Sequence, residues 1–204
     1  MGVRDRRQSL RPSTKHPHRY HRHHHPVQPA DTISVREPRP FFGPQVVRAA
    51  FVMALFGWGI GFYGPPIYLH AVTERTGWSL VLVSSAVTLH YLFGALVITR
   101  LPDLHRRFGV GTTAAAGACI AALGVLGWSL ANAPWLLLAS SLASGAGWVA
   151  MGAVAVNAAI APWYVRLRPS ALAKAYNGAS IGGVVFSPLW ALLIGAWGFT
   201  WAAG

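Results

Sequence analysis

Five apolar runs, each close to the roughly 20 helical residues that cross a bilayer, constrain this chain more than any other feature. They fall at about 49–70, 79–99, 110–130, 136–160 and 171–195, and none contains Asp or Glu. Such runs have almost no charge to show to water. Their stable solution is a helix in hydrocarbon, where every backbone N–H and C=O is bonded internally. The connections Ala71–Trp78, Arg100–Gly109, Ala131–Trp135 and Ala161–Ser170 are short, so consecutive spans are expected as antiparallel neighbours in a bundle. The expected fold class is an all-α membrane protein.

Charge is segregated accordingly. Residues 1–40 carry nine of the 17 Lys/Arg, three of the five Asp/Glu and six of the nine His. Residues 1–44 therefore read as a disordered, basic, His/Pro-rich cytoplasmic tail, and 45–204 as the transmembrane helical domain. The run His21–His25 has no fixed geometry, so no metal site is assigned to it and no cofactor is implied. The tail's positive charge suits an inside terminus touching anionic lipid; no nucleic-acid partner is expected. Arg100, Arg106 and Arg107 in the second connection and Arg166, Arg168 and Lys174 around the fourth repeat that bias. The first connection has only Arg75, and the third has no basic residue. This alternation predicts a cytoplasmic N-terminus in a plasma (bacterial inner) membrane. Trp78, Trp128, Trp135, Trp163, Trp197 and Trp201 fall at span ends, where indoles favour the interface.

The same segregation argues against an enzyme. Glu74 and Asp103 are the carboxylates left after the tail, and they are expected on opposite membrane faces. The single cysteine, Cys119, reads as a packing residue of the third span.

Inside the spans a few polar positions stand out. Gly59–Gly64 fits G-x-G-x-x-G, but no strand precedes it and Pro65-Pro66 follows, so it reads as a smooth helix face. The two prolines predict a kink in the first span, which makes Tyr63 and Tyr68 candidate cavity-wall residues. His90, with Thr88 and Tyr91, lies mid-span. There it either touches solute or a proton, or is a neutral imidazole bonded to a neighbouring helix. Asn157 and Asn177 lie roughly 5–10 Å inside one membrane face at 1.5 Å per residue. They bond to each other across two helices or contact solute. Ser180, Gly182 and Gly183 extend the fifth span as a small-residue face, and Pro188 is expected to bend it.

Trp163-Tyr164-Val165-Arg166-Leu167-Arg168-Pro169-Ser170-Ala171, with Ala175 and Gly178 beyond, resembles the span-five signature Y-F-x-K-R-R-x-L-A-x-G-x-A-x-A-G. That signature belongs to monocarboxylate-transporter-like members of the major facilitator superfamily. Leu101-Pro102-Asp103 and Arg106-Arg107 resemble the superfamily's loop motif between its second and third spans. The resemblance implies that Asp103, Arg106 and Arg107 help hold one conformational state. It also implies a twelve-span secondary transporter with two six-span halves, each half built from inverted three-span repeats. Access to a small organic solute, which can be anionic, would alternate between the two sides, with or without a coupling proton.

Against that plan the chain supplies five spans and the start of a sixth, an N-terminal part needing a C-terminal half or a second chain to complete a cavity. A truncated, non-transporting membrane protein or accessory subunit stands as the alternative.

Overall fold

The computed structural model describes residues 40–204, and the expectations for the basic tail, including His21–His25, lie outside the described residues. Among the described residues the chain is helical throughout, with no strand. Helix α1 (Gly43–Phe56) runs into a π-helical segment (Gly57–Phe62), followed by α2 (Gly64–Thr76), α3 (Leu80–Ile98) and α4 (Leu101–Phe108). Then come α5 (Val110–Leu130), α6 (Pro134–Ala150), α7 (Ala153–Ile160), α8 (Arg168–Trp197) and α9 (Phe199–Ala203).

Local chemistry explains most of the boundaries. Ser79 caps α3 by accepting the Leu82 amide at 3.3 Å. Gly77, at φ 69°, closes α2 in the left-handed region that residues with a Cβ avoid. Prolines occupy the first turn of α1, α2, α4, α6 and α8, where a missing amide donor does no harm.

Five stretches are long and apolar enough to cross a membrane: Gly43–Thr76, Leu80–Ile98, Val110–Leu130, Pro134–Ile160 and Arg168–Trp197. The third coincides with the sequence expectation. The first starts six residues earlier and ends six later than expected, because Pro44 and Gly77 rather than hydropathy set its ends. Two spans are discontinuous. The expected kink in the first is a break: the π segment ends at Phe62 and, after Tyr63, a new helix starts at Gly64. The fourth breaks at Met151–Gly152, between α6 and α7. By contrast, α8 runs unbroken through Pro188. The second connection is itself a short helix, α4.

Close glycine contacts give the packing and its direction. Gly178 lies over the Phe51 carbonyl and Gly182 over that of Leu55, so α1 and α8 run parallel. Gly145 meets the His90 carbonyl and Gly94 meets Val149, which makes α3 and α6 parallel as well. Gly117 against Ala150, Gly124 against Ser144 and Gly127 against Ser140 run the other way, so α5 and α6 are antiparallel. Without water-driven association inside a bilayer, this backbone-to-backbone proximity supplies the dispersion contact that holds helices together.

Two expectations are corrected here. Cys119 is exposed on the outside of α5, not packed, because the α5 face that meets α6 is carried by Gly117, Ala121 and Gly124. Trp128 is fully buried rather than interfacial. It belongs to a cluster with Tyr68, Val72, Leu137, Trp190 and Phe199, and its indole N–H donates to Ser144 Oγ at 3.1 Å. Trp135, Trp197 and Trp201 are exposed near span ends, where the belt was expected.

Candidate functional site

The break in the first span has a definite cause. Pro65 and Pro66 lack the N–H groups that would bond the carbonyls of Gly61 and Phe62 in an α-helix. Within the π segment the Tyr63 amide instead reaches back five residues to the Trp58 carbonyl at 2.9 Å. Three successive carbonyls are then taken up by side chains. Tyr68 Oη donates to Ile60 O at 3.0 Å, His90 Nε2 to Gly61 O at 2.8 Å, and Tyr91 Oη to Phe62 O at 2.7 Å. A backbone carbonyl left bare in hydrocarbon costs several kcal/mol, so these side chains are what make the break tolerable.

His90 is completely buried, and both ring nitrogens are engaged. A carbonyl only accepts, so Nε2 carries the proton that bonds Gly61. Nδ1 lies 2.8 Å from Ser144 Oγ, which also receives the Trp128 indole N–H. The Ser144 hydroxyl, which also lies 3.2 Å from the Ser141 carbonyl, thus links the Trp128 indole to His90, and His90 to Gly61. His90 is thereby bonded to neighbouring helices. It ties the broken first span to α3, α5 and α6. Trp148 stacks on the His90 ring with centroids 6.3 Å apart.

The two broken spans meet each other. A Cβ on Gly57 would stand 3.3 Å from Met151 Cβ, at the α6–α7 break, and Gly61 lies against Trp148. Beside this junction a polar stripe runs along α8. Tyr176, Ser180 and Gly183 are spaced four and three residues apart, which places them on one helix face. At one end Asn157 Nδ2 donates to Tyr176 Oη at 2.7 Å and to Ala153 O at 2.8 Å. At the other, the Tyr63 ring covers Gly183. Trp58 packs edge-on against both Tyr176 and Trp148, with centroids 6.0 Å apart in each case. Between its ends the stripe extends about 10 Å at 1.5 Å per residue.

Asn157 thus finds its partner on α8 in Tyr176, not in Asn177 one residue on, whose exposed amide takes no bond from another helix among the described residues. Tyr63, Asn157 and Asn177 lie exposed around the stripe, whereas Tyr68 and His90 lie behind it. Tyr176, Trp58, Ser144 and Trp148 were not anticipated from the sequence. A Tyr beside an Asn at the start of a span was the available signal for Tyr176.

Residues 163–168 and α4 lie at the span ends, where several of their side chains make local contacts. Arg168 Nε and Nη2 donate to the carbonyls of Tyr164 and Ala161 at 3.1 and 3.3 Å, closing the connection after α7. Tyr164 and Trp163 pack edge-on with Phe41 and Phe42. Arg166 is exposed, and Gly178 is the close contact with α1. In α4, Arg106 pairs with Asp103 at 2.6 Å, three residues apart and mostly exposed. Arg107 lies 5.2 Å over the Phe108 ring. At the far end of the bundle, Arg75 Nη2 donates to Ala131 O at 2.9 Å and caps α5.

Five long apolar helices, two of them broken and joined through buried side-chain bonds, define a membrane-spanning helical protein. Compared with protein-family models, with the curated proteins and with the solved structures, the chain matches none.

Proposed function

We propose that residues 45–204 form one wall of a solute path, as the N-terminal part of a secondary transporter of the major facilitator type. Access alternates, and the N-terminus lies on the cytoplasmic side of a plasma membrane. The observation that carries this reading is the stripe Tyr176–Ser180–Gly183, bounded by Asn157 and Tyr63 and flanked by the Asn177 amide, which has no partner among the described residues. Polar side chains within spans face a bundle interior or a water-filled cavity. These lie on the outer side of the described bundle, so a second body completes the cavity: a C-terminal half or another chain.

The arrangement of spans adds support. Span one packs parallel to span five, and span four parallel to span two. Exchanging one with four and two with five maps each pair onto the other, as inverted three-span repeats require. The two spans so exchanged, one and four, are also the two broken ones, and transporters place solute beside such discontinuous helices. The wall offers amide and hydroxyl groups and aromatic faces with no fixed charge. Its ligand is a small organic solute held by hydrogen bonds and stacking. Negative charge on the solute, and any coupling proton, fall to groups contributed by the second body.

The competing reading is a non-transporting membrane protein or accessory subunit. It draws on His90, whose ring is wholly engaged in holding the break. Uptake by vesicles from cells expressing the protein separates the two, with labelled lactate, pyruvate and a neutral amide analogue as probes. The transport reading expects saturable uptake of at least one probe. It also expects about a tenfold fall, near 1.4 kcal/mol, for Asn157→Ala or Tyr176→Phe. Absence of saturable uptake of all three from intact protein favours the accessory reading.

A further inference from the structure

At the start of the α1–α8 pair lies a cleft of about 300 Å³, lined among others by Val47, Arg48, Tyr164, Leu167, Ser170 and Lys174. Its composition follows from the parallel register. The alignment that sets Gly178 over Phe51 and Gly182 over Leu55 carries back four residues to Lys174 beside Val47. Backbone packing, not the reach of flexible side chains, brings Arg48 and Lys174 to one cleft.

Two cations that share a cleft repel each other, and no carboxylate among the described residues lines it. Among the described residues Glu74 lies 3.3 Å from His70 and Asp103 lies 2.6 Å from Arg106, and neither lines this cleft. Arg48 is five residues into α1 and Lys174 six residues into α8. Both therefore sit about 8–9 Å from their helix starts at 1.5 Å per residue. At the end of a membrane span that depth is the headgroup layer. Half-buried Tyr164 and exposed Ser170 bring hydroxyl donors to the same opening, and Val47 and Leu167 form its apolar rim.

We infer that this cleft binds the phosphate group of an anionic phospholipid. Arg48 and Lys174 supply the charge, Ser170 and Tyr164 donate hydrogen bonds, and the rim receives the start of the acyl chains. Basic pockets between spans hold lipid headgroups through this combination of charge and depth. The site is independent of the solute path, being formed by the ends of α1 and α8 rather than by the junction of the broken spans.

The test uses the purified full chain in phosphatidylcholine nanodiscs, with binding of phosphatidylglycerol read by native mass spectrometry and by the thermal midpoint. Arg48→Ala or Lys174→Ala is expected to weaken phosphatidylglycerol binding about fivefold, and the double variant about thirtyfold. Arg48→Lys with Lys174→Arg keeps both charges and is expected to restore binding, which separates loss of the site from loss of the fold. Arg166→Ala removes one exposed charge outside the cleft and is expected to leave binding near wild type. Equal weakening by Arg166→Ala, or none in the double variant, overturns the site. Inorganic phosphate is titrated in a separate arm without phosphatidylglycerol. Saturable stabilisation by phosphate but not by the lipid keeps the phosphate chemistry and overturns the lipid as its source.

Discussion

At the scale of single residues, what decides the bundle is where a few polar atoms find partners. Ser144 serves two buried donors or acceptors at once, the Trp128 indole and His90 Nδ1. Ser144→Ala removes both partners while leaving little space, and is expected to destabilise the protein by about 1–2 kcal/mol. Denaturant titration in mixed micelles measures this. His105, in α4 and outside the spans, gives the pH dependence. Burial lowers its imidazole below the ordinary 6.5, and its Nε2 has no partner among the described residues. A base with a depressed folded pKa binds fewer protons folded than unfolded just below 6.5. Stability therefore falls as pH drops through that window and is recovered above it. The thermal midpoint of the wild type is expected to drop from pH 7 toward 5 more than that of His105→Gln.

The sequence marks some of these residues but not their partners. His90 is conspicuous as a titratable side chain in an apolar span, and a neighbouring helix is one of the two surroundings anticipated for it. That its acceptor is Gly61 follows only once Pro65 is seen to leave that carbonyl bare. Consecutive prolines freeing consecutive carbonyls, and consecutive His90 and Tyr91 to meet them, is a signal present in the sequence. Using it requires knowing that α3 lies against the first span, which is tertiary information.

At the scale of elements, glycine placement sets which helices touch and in which direction. Any Cβ at Gly178 collides with the backbone around Phe51, whereas Gly195 on the same helix has open space. Gly178→Leu is expected to destabilise by at least about 1–3 kcal/mol through overpacking of α1 against α8. Gly195→Leu is expected to be close to neutral, and the comparison uses the same mixed-micelle titration. Span existence is legible from apolar length alone, because no other structure buries such runs. The ends of the first span are not, since Pro44 and Gly77 extend a helix past its apolar centre. Nor is the break at Met151–Gly152: Gly152 shares its composition with glycines that stay helical, such as Gly147 and Gly145, and only its extended backbone, beside the contact of Met151 with Gly57, distinguishes it.

At the scale of the molecule, the parallel pairs of spans one with five and two with four give the bundle an internal exchange symmetry, with the two broken spans as counterparts. The wall beside their junction faces away from the bundle's own core. Were that wall against lipid, the Asn177 amide would carry a desolvation penalty that no hydrogen bond among the described residues offsets, whereas Asn157 and Tyr176 satisfy each other. The account therefore rests on water reaching these residues. The direct measurement is labelling of Asn177→Cys, in a Cys119→Ser background, by a membrane-impermeant maleimide applied to the face of oriented vesicles that carries the α7–α8 connection. Val165→Cys, in the exposed connection after α7, serves as the positive control. An aqueous path predicts labelling at position 177, slowed by a bound solute. A position that stays unlabelled while 165 reacts fully is contacted by lipid or by closed protein, and contradicts the account.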